Sequence, residues 1–130
     1  MDVKLDEDGL SETARRTLPA DVSERVALAW ANGRALILNA NKPGYSEAFT
    51  ISSEQYTLVR DAIFAGIEAS GGGTVLLKDV VAFVQAELGD HAAFPNGRMT
   101  NYTRYTKTDL EARGEVERIA RSSPQRIRRT

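Results

Sequence analysis

Residues 97–119 read GRMTNYTRYTKTDLEARGEVERI, and the fold turns on how this stretch is read. It opens polar and threonine-rich, becomes helical through leucine and alternating charge, stops at Gly114 and continues as a strand pattern. Asn96 or Gly97 can begin a helix and Gly114 can end it. At about 100° per residue, Met99, Tyr102, Thr103, Thr106 and Leu110 share an arc of about 100°, a face suited to packing. The opposite face presents Asn101, Arg104, Tyr105 and Thr108, with Lys107 at its flank and Glu111 further along. After Gly114, EVERIARSSPQRIRR sets Val116 and Ile119 before, and Ile127 after, Ser122-Ser123-Pro124. This predicts a β-hairpin with its tip at those three residues.

Upstream, the pattern divides into four pieces. Residues 1–20 lack an apolar period and end at Leu18-Pro19, so they read as a mobile N-terminal arm with at most a short helical turn. Asp21 can cap a helix through VSERVALAWANG, stopped by Gly33. RALILNANKPGYSEAFTIS then has the form of a hairpin, with apolar runs at 35–38 and 48–51 around a Pro43-Gly44 turn. Ser52 and Gln55 form a capping box before a helix whose Tyr56, Val59, Ile63 and Ile67 share an arc of about 80°. Gly71-Gly72-Gly73 ends that helix, Thr74-Val75 supplies a short strand, and a further helix runs from about Leu77 to Leu88 with Gly89 as its stop. Its Leu77, Val80, Val81, Val84 and Leu88 again share one face. The expected organisation is an arm over 1–20, a helix-and-hairpin extension over 21–51 and a main domain over 52–130, the last two forming one compact unit.

Composition narrows the function. The chain has 130 residues, 42% hydrophobic and 27% charged, which suits one ordinary globular domain. It has no cysteine, which removes disulfides, thiolate metal sites and cysteine nucleophiles. The opening MDVKLDEDGLSE is acidic and no apolar run is long enough to span a bilayer, so the chain reads as cytoplasmic. The net charge is −1, but it is unevenly spread: residues 1–97 carry 8 Lys/Arg against 14 Asp/Glu, and residues 98–130 carry 9 against 4. A basic C-terminal quarter on an acidic body is suited to a polyanion.

The order helix, short strand, helix, helix, two-stranded hairpin over residues 52–129 resembles that of a winged helix-turn-helix domain, and LEARGEVERI resembles the junction between its recognition helix and its wing. The chain is also similar to an uncharacterised bacterial family, in which segments like NKPGYSEAFTIS and YTKTDLEARGEVERIARSSPQRIRR recur behind an N-terminal hairpin. The resemblance implies an α+β fold, a three-helix core with a C-terminal wing preceded by a helix and hairpin. The loop GDHAAFPN departs from the tight turn of a simple helix-turn-helix, which has 3 or 4 residues.

The same resemblance implies that the third helix lies in a major groove of double-stranded DNA, as in a transcriptional regulator or DNA-associated accessory factor. Asn101 then has the amide for a bidentate contact to adenine, and Arg104 the guanidinium fork for guanine. Lys107 suits phosphate and Thr108 either partner, while Arg121, Arg126 and Arg128 of the wing suit the backbone or a narrow minor groove. Competing readings give Asn101 to the free amides of the helix N-terminus and Arg104 to a surface ion pair. An alternative function is protein contact, with Val26, Trp30, Leu36, Leu38 and Phe49 forming a homodimer or partner surface that the N-terminal piece extends over Leu58.

No enzyme is expected. His91 is the only histidine, and a loop histidine without a second ligand or a cysteine does not argue for a zinc site. Gly71-Gly72-Gly73 is not followed by the Lys-Ser/Thr of a phosphate loop, and no GxSxG or GxGxxG occurs. Nothing in the pattern calls for a cofactor, a metal, a small-molecule ligand or a membrane.

Overall fold

The computed structural model describes residues 4–45 and 48–130; the rest of the expected arm, residues 1–3, and the residues 46–47 of the expected hairpin lie outside it. The fold is mixed α+β. Its elements follow the chain as α1 (Glu12–Thr17), α2 (Ala20–Ala31), β1 (Arg34–Ile37), a one-turn 3-10 helix (Pro43–Tyr45), β2 (Phe49–Ser52), α3 (Ser53–Ala69), β3 (Val75–Leu76), α4 (Leu77–Leu88), α5 (Thr100–Ala112), β4 (Val116–Arg118) and β5 (Arg126–Arg129). β1 and β2 pair antiparallel, with Ala35 opposite Ile51. The second sheet has the order β3-β5-β4, both pairings antiparallel, so the last strand lies between the other two.

Local chemistry accounts for most boundaries. Ser52 accepts from the Gln55 amide at 3.0 Å while the Gln55 side chain accepts from the Ser52 amide, and α3 starts there. α2 begins one residue before the expected cap: Pro19 holds the entry position and Asp21 sits in the first turn, where its charge favours the helix end. α5 starts at Thr100, later than the sequence suggests, because residues 89–99 fold inward first. Phe94 and Met99 are buried there, the Met99 amide donates to Gln85 Oε1 at 3.0 Å, and His91 Nδ1 accepts from the Ala93 amide. Gly114, at φ +77, ends α5 in the left-handed region, and a Cβ there would come within 2.7 Å of Thr17 Oγ1.

Three apolar clusters meet around α5. The largest joins Val59, Ile63 and Ile67 of α3, Val80 and Val84 of α4, Met99 and Leu110, and the strand residues Val75, Val116 and Ile127. A second joins Leu10, Ala14, Leu18, Val22 and Val26 to Leu38 and Ala112. A third holds Ala35, Ile37, Ile51 and Tyr56, with Trp30 and Tyr105 against it.

The second cluster corrects the reading of the N-terminus. Residues 4–20 are not an unattached arm: Leu10, Ala14 and Leu18 are buried, Ser11 caps α1 through the Ala14 amide, and Gly9 lies flat on the Trp30 ring. The sequence hides this because three apolar residues at a spacing of four look sparse until α2 and Leu38 supply the other side. Val26 and Leu38 are consequently interior residues and cannot form a partner surface. Leu58 packs against the main α3–α4–α5 core rather than under the N-terminal piece. Among the described residues, no helix is long and apolar enough to cross a membrane.

Candidate functional site

α5 is held on both flanks, and that decides which of its residues remain available. On one flank α3 and α4 cover Met99, Thr103, Thr106 and Leu110. On the other the β1–β2 hairpin lies against it, with the Phe49 and Tyr105 rings edge to face at 4.9 Å. Tyr105 and Thr108, expected to face outward, are therefore half-buried toward the hairpin, and Thr108 Oγ1 donates to the Arg104 carbonyl at 3.1 Å.

Lys107 is the clearest correction among the expected contact residues. It is buried, and its Nζ donates to Glu111 Oε1 at 3.1 Å and to Gln125 Oε1 at 2.8 Å. The β4–β5 hairpin folds back over this position, turning a flank residue of the isolated helix into a tie between α5 and that hairpin. A phosphate has no access to that ammonium. Arg128 is exposed, but its guanidinium is paired with Glu117 across the β4–β5 ladder.

The other expected residues are open. Asn101 is exposed and makes no hydrogen bond among the described residues; Met99 holds the N-cap position without a side-chain cap. Arg104 is exposed and has no acidic partner among the described residues, since Glu111 is engaged by Lys107 and Asp109 by Arg113. Arg121 and Arg126 are also exposed and without an acidic partner in that set, as are Arg98 and Arg118, which the sequence reading did not single out. The Lys107–Gln125 bond joins the turn of α5 after Arg104 to the residue next to Arg126. Arg121 has φ +62, a conformation that disfavours side chains other than glycine, so the hairpin tip carries its arginine at a conformational cost.

Beneath this surface is a buried polar constellation that the sequence reading missed. Asp109 accepts from the Leu38 amide at 2.9 Å and the Tyr56 hydroxyl at 2.6 Å, and pairs with Arg113 Nε at 3.1 Å. Arg113 donates further to the carbonyls of Gly9 at 2.8 Å and Leu36 at 3.1 Å, and its guanidinium lies over the Tyr56 ring. Burial pushes the Asp109 carboxyl up, while Arg113, the Leu38 amide and the Tyr56 hydroxyl pull it back; burial also pushes the Tyr56 phenol up. Next to it, Arg60 Nη1 donates to Glu115 Oε1 at 2.8 Å, both residues buried. The i,i+4 spacing of Asp109 and Arg113 was the one visible sign, and it reads as a surface pair until the N-terminal segment covers it. Such a network orients and fixes α5. Among the described residues, no three histidine, cysteine or acidic side chains gather as a metal site.

The model of a family of unknown function, DUF6958, matches residues 34–127. Comparison with curated proteins and with solved structures returns no match.

Proposed function

The chain belongs to DUF6958, and we propose that residues 52–130 of this member form a winged helix that binds double-stranded DNA through the first turns of α5 and the β4–β5 hairpin. The observation that carries the reading is the set of exposed arginines without acidic partners: Arg98 and Arg104 at the start of α5, and Arg118, Arg121 and Arg126 on the hairpin. The helix order α3, α4, α5 followed by a hairpin supports it, as does the Lys107–Gln125 bond that ties the end of the β4–β5 turn to the third helix. Asn101 and Arg104 are the base-reading candidates, and the hairpin arginines the backbone contacts. Lys107 and Arg128 are withdrawn from that set, and Thr108 contributes at most from the edge.

The test is fluorescence anisotropy of a mixed-sequence duplex at several salt concentrations. Four or five contacting arginines give a log–log slope of about −4, at about −0.9 per neutralised phosphate. Arg104→Ala with Arg126→Ala lowers the affinity and flattens the slope by about one, the share of the phosphate contact at Arg126. Lys107→Met leaves the slope unchanged while lowering the unfolding midpoint. Absence of binding even at low salt sinks the reading.

A second reading rests on Leu28, 68% exposed on α2, and Phe49, 45% exposed on β2. These are the exposed large apolar residues of the described chain, and self-association through them would present two copies of α5 together. Sedimentation of the wild type against Leu28→Glu separates the two: a change in mass assigns this surface to assembly.

A further inference from the structure

The junction of the β1–β2 hairpin with α5 forms a half-open cavity of about 140 Å³. A cavity of about 150 Å³ takes up one benzene ring, so the space suits a single six-membered ring. Its apolar walls are Ile37, Leu38 and Phe49, and Tyr105 closes the corner with Phe49. The two rings meet edge to face and together wall one corner of the space.

The polar lining is as telling. Asn39, Asn41, Tyr105 and Thr108 are its polar members, and among the described residues no Lys, Arg, Asp or Glu lines it. A charged ligand would lose its hydration without gaining a counter-ion, so the space selects against ions. Thr108 is already committed to the Arg104 carbonyl, and Asn39 Oδ1 accepts from the Asn41 amide at 3.0 Å. The Asn39 amino group, the whole Asn41 carboxamide and the Tyr105 hydroxyl make no hydrogen bond among the described residues. Burial and the neighbouring Tyr102 push the Tyr105 phenol up, so it stays a donor at neutral pH. Donors and an acceptor with unused capacity thus stand around an apolar slot. A carboxamide presents donor and acceptor side by side, and its natural complement is a second amide edge.

We propose that this cavity is a binding site for a small neutral ring bearing an amide edge, the ring packed against the corner that Phe49 and Tyr105 form together and the amide facing Asn41. The inference is independent of DNA binding, because neither Arg104 nor the hairpin arginines line the cavity.

The experiment titrates the full ¹⁵N-labelled chain with benzamide and, separately, with benzoate, which keeps the ring and shape but carries a charge. Benzamide is expected to give saturable shifts concentrated at Asn39, Asn41, Tyr105 and Thr108. Benzoate is expected to bind about tenfold more weakly or not at all, a difference the size of one hydrogen bond. Asn41→Ala is expected to weaken benzamide by about the same factor while leaving the remaining cross-peaks in place. Should that variant disturb the hairpin, Tyr105→Phe asks the same question from the helix side and is expected to weaken binding severalfold. Shifts that never saturate, shifts centred elsewhere, equal affinity for benzoate, or indifference to both substitutions overturn the proposal.

Discussion

Asp109 accepts hydrogen bonds from α3 and from the end of the first hairpin, and its partner Arg113 reaches the N-terminal segment at Gly9. Removing one side of a buried ion pair leaves the other charge without compensation, which costs about 3–5 kcal/mol. Asp109→Ala is therefore expected to lose that much in urea unfolding. Tyr56→Phe removes one bond to a charged group and should cost about 1.5–3 kcal/mol. If Asp109→Ala were the milder of the two, the pairing with Arg113 would not be what holds the site. At the surface, partial burial pushes the Asp6 carboxyl up, but Arg15 and the amides of Leu10 and Asp8 outweigh it, and the net shift is below the ordinary 3.8. A lowered carboxyl stabilises the fold above its unfolded value and loses that contribution as pH falls through the folded value. The Asp6–Arg15 contact should thus survive to pH below 3.8, with a small effect on overall stability because both side chains are largely solvated. A carbon-detected titration of Asp6 reads the midpoint directly, and a midpoint above 3.8 contradicts the pairing.

Among the elements, α3 is the one whose ends and face are both written locally. Its capping box and its buried stripe of Tyr56, Val59, Ile63 and Ile67 need only neighbours in sequence to be recognised. Ser52→Ala removes the first half of the box and should cost about 1 kcal/mol in thermal or denaturant unfolding. A cost near zero would mean that the β2–α3 junction is held by tertiary contacts alone. α5 behaves differently. Its apolar stripe is legible, but its polar face is divided among the β1–β2 hairpin, the β4–β5 hairpin and solvent, and helical periodicity contains no information about that division. Lys107 and Asn101 are both polar residues of a single helix, yet one is buried under Gln125 and the other is open. The same applies to β5, whose Ile127 is fully buried because it faces the main apolar cluster while Arg126 and Arg128 on the other face are exposed. Hairpin pairing of β4 with β5 is predictable; the addition of β3 on the far side is a long-range event.

For the molecule as a whole, the N-terminal segment is a structural part of the unit that the family model outlines from residue 34. Leu10 and Leu18 each bury a side chain against α2, Leu38 and Ala112, at about 1.5–3 kcal/mol per leucine. Deleting residues 1–18 should lower stability by about 3–5 kcal/mol, expose Leu38 and Ala112, and leave the α3–α4–α5 core folded, as amide exchange would report. Unchanged stability would return the segment to the status of an arm. The sequence by itself determined the helices after residue 20, the two hairpins, the apolar faces and the concentration of positive charge after residue 97, because each follows from local periodicity, capping, turn chemistry or composition. Only the tertiary structure decided the packing of residues 4–18, the burial of Lys107, the Tyr56–Asp109–Arg113 network and the cavity beside Tyr105. Each of these joins segments far apart in the chain, and such contacts depend on which surfaces meet, a property that no local pattern of residues encodes.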